Sequence, residues 1–183
     1  MKEFENSLMR IDLLCEQNSI EYAVIGGLAV ITYGSFRTTK DIDLTVLCNL
    51  DEMAFIHKVF SKEFIPIYDH SLEFFKSNFV IPSKDRITGI RVDIASGLTE
   101  FDKNVIKRRK REKLGQAEFY VCSIEDLIIY KLFAARYQDL ADVKELISIH
   151  KGSIDKKYLA DRVFEFYELE REDMKANLDK LLI

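Results

Sequence analysis

The sequence predicts an α/β (α+β) fold: a small mixed sheet flanked by helices, with a helical C-terminal region. Three observations predict it. Strand-like apolar runs interleave with amphipathic helical stretches as far as residue 122, and every stretch beyond has helical periodicity. Seven Gly and two Pro in 183 residues are too few for a loop-rich or all-β scaffold. Hydrophobic residues make up 48% of the chain, thirteen Phe and eight Tyr among them, which supplies a core and excludes a disordered chain. The expected organisation is an α/β core over residues 1–122 and a helical region over 123–183 packed on it, with no linker-like composition between them.

Taken in order, Phe4, Leu8, Ile11, Leu14 and Cys15 recur at helical spacing, so residues 3–17 form an amphipathic helix that Asn18 and Ser19 end. An apolar strand at 22–25, the turn Gly26-Gly27 and a short apolar helix to about Tyr33 follow. A polar loop over 35–40 leads into a strand that opens with Asp41-Ile42-Asp43. Asn49 or Asp51 caps a helix with Met53, Ile56, Val59 and Phe60 on one face. Residues 64–68 read as a strand despite Pro66, and 72–75 as a helical turn. Strands are expected at 78–81 and 87–95, on either side of a turn at 82–85. A charged helix over 100–113, stopped by Gly115, precedes a last strand at 117–122. Ser123-Ile-Glu-Asp126 is a capping box for a helix over 127–137. Asp139 reads as the cap of a helix over 140–150, and two amphipathic helices at about 155–168 and 170–182 finish the chain.

Two carboxylates on one strand are where chemistry enters. Side chains alternate faces, so Asp41 and Asp43 point the same way and Ile42 and Leu44 the other. Paired hard-oxygen ligands suit Mg²⁺, which keeps waters and adds substrate phosphates to one or two carboxylates. The Gly26-Gly27 pair offers unobstructed backbone N–H groups to an anion. A third acid for a two-metal arrangement is Asp93, whose neighbours Val92 and Ile94 set it on the opposite face of its strand. Alone, Asp-x-Asp reads equally as two surface acids near a strand start, and Asp93 as the solvated face of an edge strand.

The order Gly-Gly, helix, Arg37-Thr38-Thr39-Lys40, Asp-x-Asp and a later strand Asp resembles the nucleotidyltransferase superfamily, the polymerase-β-like fold. Val24-Ile25-Gly26-Gly27 and Asp41-Ile42-Asp43-Leu44 match its hallmark, and Asp93 its third acid. Within the superfamily the chain is most similar to the AbiEii-type and MenT-like toxin branch. That branch carries a stretch similar to Lys131-Leu-Phe-Ala, Arg136, Asp139 and Asp142-Val143 here. Gly27 stands where many relatives carry Ser, so a hydroxyl contact to phosphate is lost while the N–H stays. The resemblance implies transfer of a nucleoside monophosphate from a nucleoside triphosphate such as ATP to an acceptor hydroxyl. Asp41, Asp43 and Asp93 would hold two Mg²⁺, and Gly26, Gly27, Arg37, Lys131 and Asp139 would bind the nucleotide. It also implies a toxin-antitoxin or abortive-infection role, with transfer RNA as leading acceptor, a protein side chain behind it, and a separately encoded antitoxin as partner.

Each of the remaining residues also has a plainer reading. Lys131 and Asp139 could form an ion pair between helix ends, and Arg37 could be a solvated loop residue. The run Lys107-Arg-Arg-Lys-Arg111 with Lys113 could follow an RNA backbone, or be a solvated helix surface. Two further functions stay open: a small-molecule, antibiotic-type nucleotidyltransferase, and a non-catalytic nucleotide-binding or antitoxin-like module. His57, His70 and His150 are isolated, and no G-x-S-x-G elbow occurs. Asp41-Ile-Asp-Leu-Thr45 superficially matches the D-x-D-x-T of haloacid-dehalogenase-like phosphatases, but Arg-Thr-Thr-Lys precedes it in place of an apolar run. The net charge of −4 says little about partners. Three scattered cysteines (Cys15, Cys48, Cys122), no signal-like N-terminus and no membrane-length apolar run lead to the expectation of a cytoplasmic protein.

Overall fold

A computed structural model describes residues 2–166 and 171–181. The chain folds as two compact units. The first comprises residues 1–29 and 38–122, the second 30–37 and 123–183. The helical unit therefore takes in the short loop before Asp41 as well as the C-terminal region.

The first unit is built on a seven-stranded mixed sheet of order β3-β4-β5-β2-β1-β7-β6. Its strands are β1 (Tyr22–Ile25), β2 (Asp41–Leu47), β3 (Phe64–Pro66), β4 (Val80–Asp85), β5 (Arg91–Gly97), β6 (Lys110–Leu114) and β7 (Ala117–Val121). β2 and β5 are parallel at the centre, and β1 runs antiparallel to β2. Helices α1 (Lys2–Gln17), α3 (Met53–Phe60), α4 (Ser71–Asn78) and α5 (Glu100–Arg108) belong to this unit, with α2 (Gly26–Thr32) beginning in it. Alternation explains the central strands: Ile42, Leu44, Val92 and Ile94 are wholly buried, while Asp41, Asp43 and Asp93 on the other face are half-buried. Asn49 caps a 3₁₀ turn into α3 through a reciprocal box with Glu52.

The helical unit holds α6 (Ile124–Ala134), α7 (Tyr137–Ile149), α8 (Lys156–Glu165) and α9 (Glu172–Leu181). Ser123 caps α6, its hydroxyl accepting the Asp126 N–H and donating to Asp126 Oδ2 at 2.7 Å. Among the described residues no helix is long and apolar enough to cross a membrane.

Several expected boundaries are corrected. The charged helix ends at Arg108, and 110–114 instead form β6, paired with β7 around the two-residue turn Gly115-Gln116. Gly115 adopts a positive φ of 60°, which such a tight hairpin turn needs. The turn expected at 82–85 lies at 86–90: Asp85 accepts the N–H groups of Ile87 and Thr88, and β4 runs through Pro82. The helix expected over 127–137 stops at Ala134 because Ala135 turns into a left-handed conformation, φ 51°. Arg136 then caps α7, so Asp139 sits inside the first turn and is not the cap. The turn expected at 72–75 is a full helix, α4. The last two helices are described over Lys156–Glu165 and Glu172–Leu181, and the ends placed at 168, 170 and 182 lie outside the described residues.

Candidate active site

The register of the two central parallel strands brings the acids together. Asp43 pairs with Asp93, and Asp41 with Arg91. Paired residues on neighbouring strands share a face, with α-carbons roughly 4.8 Å apart, while Asp41 and Asp43 stand roughly 6.5–7 Å apart along β2. Four charged side chains, three acidic and one basic, thus form a square on one sheet face.

Local chemistry orients each acid. Thr39 Oγ1 donates to Asp41 Oδ1 at 2.8 Å. Asp43 lies opposite Ile25 at the end of β1, where the chain turns through Gly26 with φ 64°. A Cβ at residue 26 would overlap the Asp43 carboxylate itself. Gly26 is therefore needed twice, for its left-handed backbone and for the space that Asp43 fills. Gly26→Ala should cost about 1–3 kcal/mol of stability through strain and push Asp43 off its position. A lowered thermal midpoint together with lost transfer activity would be observed, and unchanged activity would contradict this role.

Arg91 is the residue that sequence reasoning passed over. Its Nε donates to both oxygens of Asp93, at 3.0 and 3.2 Å, and Nη2 to Oδ2 at 2.9 Å. The hydrogen bond to Asp93, then its charge, holds the guanidinium above its usual range, and the Asp41 charge adds to this. The signal was available: Arg-x-Asp in a strand puts both side chains on one face. With Arg91 clasping Asp93, no group of three His, Cys, Asp or Glu side chains among the described residues is gathered tightly enough to hold a metal ion. The donor set nevertheless fits a divalent cation in its chemistry: three partly exposed carboxylates on one sheet face, all hard oxygen donors. Asp93 would have to leave Arg91 to join it.

In the helical unit, the predicted nucleotide ligands form a buried ionic network. Lys131 is 7% exposed, and its Nζ lies 2.9 Å from Asp139 Oδ1 and 2.8 Å from Asp142 Oδ2. Arg37 reaches the same Asp142 oxygen at 2.5 Å, Gln138 donates to its other oxygen at 2.9 Å, and Arg136 Nε bonds Asp139 at 2.6 Å. Burial works to raise Asp139, but hydrogen bonds from Arg136 and Lys131 outweigh it and hold the carboxyl below its usual range. The ion pair between Lys131 and Asp139 is thus present and buried. Lys131 and Asp139 come together through the turn at Ala135 and not along one continuous helix.

Within the basic run, Arg109, Arg111 and Lys113 are matched by acids. Arg109 pairs with Glu21 at 3.1 Å, Arg111 with both oxygens of Asp12 at 2.6 Å, and Lys113 with Glu118 at 2.7 Å. Arg109 and Arg111 also flank the Tyr120 ring, 4.6 and 4.7 Å from its centroid. Split between the end of α5 (Lys107, Arg108) and β6 (Lys110–Leu114), the run does not form one cationic helix surface. Nor do the thiols offer a nucleophile: all three are buried, and burial foremost pushes Cys48 up to about 11.

Comparisons with known proteins bear on the family and the fold. A family model described as "Nucleotidyltransferase of unknown function (DUF6036)" matches residues 6–180. Three solved structures share the fold. An antigenic nucleotidyltransferase-like protein from Paracoccidioides brasiliensis has TM-score 0.55 and 15% identity, over 97% of this chain and 93% of that one. The antibiotic-resistance factor ANT(2'')-Ia has TM-score 0.61 and 9% identity, over 93% and 96%. The lincosamide antibiotic adenylyltransferase LnuA, bound to lincomycin, has TM-score 0.51 and 19% identity, over 79% and 97%. A comparison with curated protein sequences finds no match.

Proposed function

The chain belongs to that nucleotidyltransferase family, and we propose that it moves a nucleoside monophosphate from a nucleoside triphosphate to an acceptor hydroxyl, releasing pyrophosphate. The observation that carries the reading is the register that sets Asp43 beside Asp93 on the face that also holds Asp41. Asp41, Asp43 and Asp93 would hold two Mg²⁺. Bound there, divalent cations supply charge neutralisation on the triphosphate and acidify the acceptor hydroxyl. Asp93 accepts the proton as the acceptor oxygen bonds to the α-phosphorus. The bond from that phosphorus to the bridging oxygen breaks, and pyrophosphate departs with the electron pair. Gly26 and Gly27 present backbone N–H groups to phosphate.

Arg37, Lys131 and Asp139 remain proposed nucleotide-site residues, in altered parts. The carboxylates hold Lys131 and Arg37 in place, so a phosphate would compete with Asp139 and Asp142 for them.

For the acceptor, the resemblance to the AbiEii-type and MenT-like branch favours an RNA end, transfer RNA first, with a cognate antitoxin as partner. The ion pairs of Arg109, Arg111 and Lys113 favour a small hydroxyl-bearing molecule instead, because they neutralise three of the cations an RNA backbone would use. Such a molecule is what the lincosamide adenylyltransferase holds.

The test offers each α-labelled nucleoside triphosphate with Mg²⁺ to total cellular RNA, total protein and a panel of hydroxyl-bearing antibiotics, with Asp41→Asn as control. Label in any acceptor, lost in the control, supports the transfer reading and names the acceptor class. Label that persists in Asp41→Asn, or none with any acceptor, overturns it.

A further inference from the structure

The register that gathers the acids also brings two cations to them. Across the neighbouring strands β4, β5 and β2, Lys84 pairs with Arg91 and Arg91 with Asp41. Paired residues share a face, so Lys84, Arg91 and Asp41 stand in one row, all within the first unit. Asp93 pairs with Pro82 and is therefore diagonal to Lys84, roughly 7–8 Å away.

Lys84 opposite Arg91 breaks a rule of sheet stability. Like charges directly across an antiparallel pair are destabilising. Arg91 is compensated by Asp93. Lys84 is exposed, and among the described residues its side chain has no hydrogen bond or ion pair. A local rule broken without compensation is expected where function demands it. An ammonium left unpaired beside a guanidinium suits an anion, and lysine binds phosphate as a point charge.

The geometry of transfer says which phosphate. Attacking and leaving oxygens lie in line, on opposite sides of the transferred phosphorus. Gly26 and Gly27 follow β1, which flanks β2 on the side away from β5. With the triphosphate held there, pyrophosphate departs toward β1 and the acceptor enters over β5, where Asp93 takes its proton. Lys84, one strand further on, stands beside the acceptor and not beside the leaving group. We propose that Lys84 binds a phosphate that the acceptor carries next to its attacking hydroxyl. The acceptor class is thus a phosphate-bearing hydroxyl compound, a polynucleotide end or a phosphorylated small molecule, and a cationic antibiotic is repelled. The inference rests on the nucleotidyl-transfer reading, which it deepens by naming the charge of the acceptor.

Calorimetry tests this in the presence of Mg²⁺ and a nucleoside triphosphate analogue that cannot be cleaved between the α and β phosphates. The probes are a short oligoribonucleotide, ribose 5-phosphate, ribose and an aminoglycoside. Each is titrated into the wild type, Lys84→Gln and Lys84→Arg, and so is the analogue alone. The wild type should bind at least one phosphate probe, and neither ribose nor the aminoglycoside. Lys84→Gln should bind that probe roughly tenfold more weakly, with Lys84→Arg near wild type. For the oligoribonucleotide the salt dependence should also fall by about one released ion. Affinity for the analogue should not change. The thermal midpoint of Lys84→Gln should hold or rise, because repulsion against Arg91 is removed, whereas a lysine kept for structure would lower it.

Binding of the oligoribonucleotide alone makes the acceptor a polynucleotide, and binding of ribose 5-phosphate makes it a phosphorylated small molecule. Equal binding of the phosphate probes by wild type and Lys84→Gln overturns the proposal. So does a wild type that binds the analogue and the aminoglycoside but neither phosphate probe. Lost affinity for the analogue in Lys84→Gln, with the phosphate probes unaffected, would give Lys84 to the triphosphate and overturn the assignment too. In these three cases the transfer reading stands. A wild type that binds no analogue removes the transfer reading and this inference with it.

Discussion

Asp43→Asn is expected to lower the rate of nucleotidyl transfer by about a thousand-fold while leaving the fold intact. Asparagine keeps the shape that fills the space beside Gly26, so β1, its turn and the start of α2 have no reason to move. What changes is charge. An amide is a poor ligand for a hard divalent cation, and the electrostatic stabilisation that a bound cation gives the transition state is worth several kcal/mol. At about 1.4 kcal/mol per tenfold, three powers of ten is a modest expectation. Circular dichroism and a thermal midpoint close to wild type, together with lost turnover, would fit. A variant as active as the wild type would remove Asp43 from the metal-binding set.

Asp142→Ala should have the largest effect on stability, about 3–5 kcal/mol, because it breaks a buried ionic network and leaves its partners uncompensated. The Asp142 side chain is 1% exposed, and its two oxygens take Lys131, Arg37 and Gln138. Without it Lys131 keeps only Asp139, and Arg37 loses the contact that fastens its loop to α7. Urea denaturation would show the loss, and a change below about 1 kcal/mol would contradict it. The neighbouring Asp139 adds a pH dependence. Its carboxyl is held below the usual range, so its contribution is present above the unfolded carboxylate value near 4 and fades as pH falls through the lower folded value. The helical unit should therefore weaken in acid, and less so when Asp139 is replaced by Asn.

The acid face was legible because alternation along a single strand is a local property. Ile42 and Leu44 declare the buried face of β2, and Val92 and Ile94 that of β5, so the faces of Asp41, Asp43 and Asp93 follow. The pairing of Asp43 with Asp93 was not legible. It joins residues 50 positions apart, and nothing in either strand alone specifies register against the other. The basic run was misread for a related reason. Lys, Arg and Glu suit a helix, and only its partner strand β7, reached through Gly115-Gln116, turns the segment into a hairpin. Ala135 hid the break between α6 and α7, because a non-glycine residue in the left-handed region carries no signal in pattern or composition. Lys131 entered as a nucleotide ligand through the resemblance. Its burial between two acids depends on that hidden turn.

The most direct measurement of the central claim is anomalous diffraction from crystals grown with Mn²⁺ and a nucleoside triphosphate analogue that cannot be cleaved between the α and β phosphates. Manganese should appear at coordination distance from Asp41 and Asp43, with Asp93 released from Arg91 to join it and the analogue's phosphates completing the shell. Manganese absent from this face, with Arg91 still clasping Asp93 beside a bound nucleotide, would contradict the account.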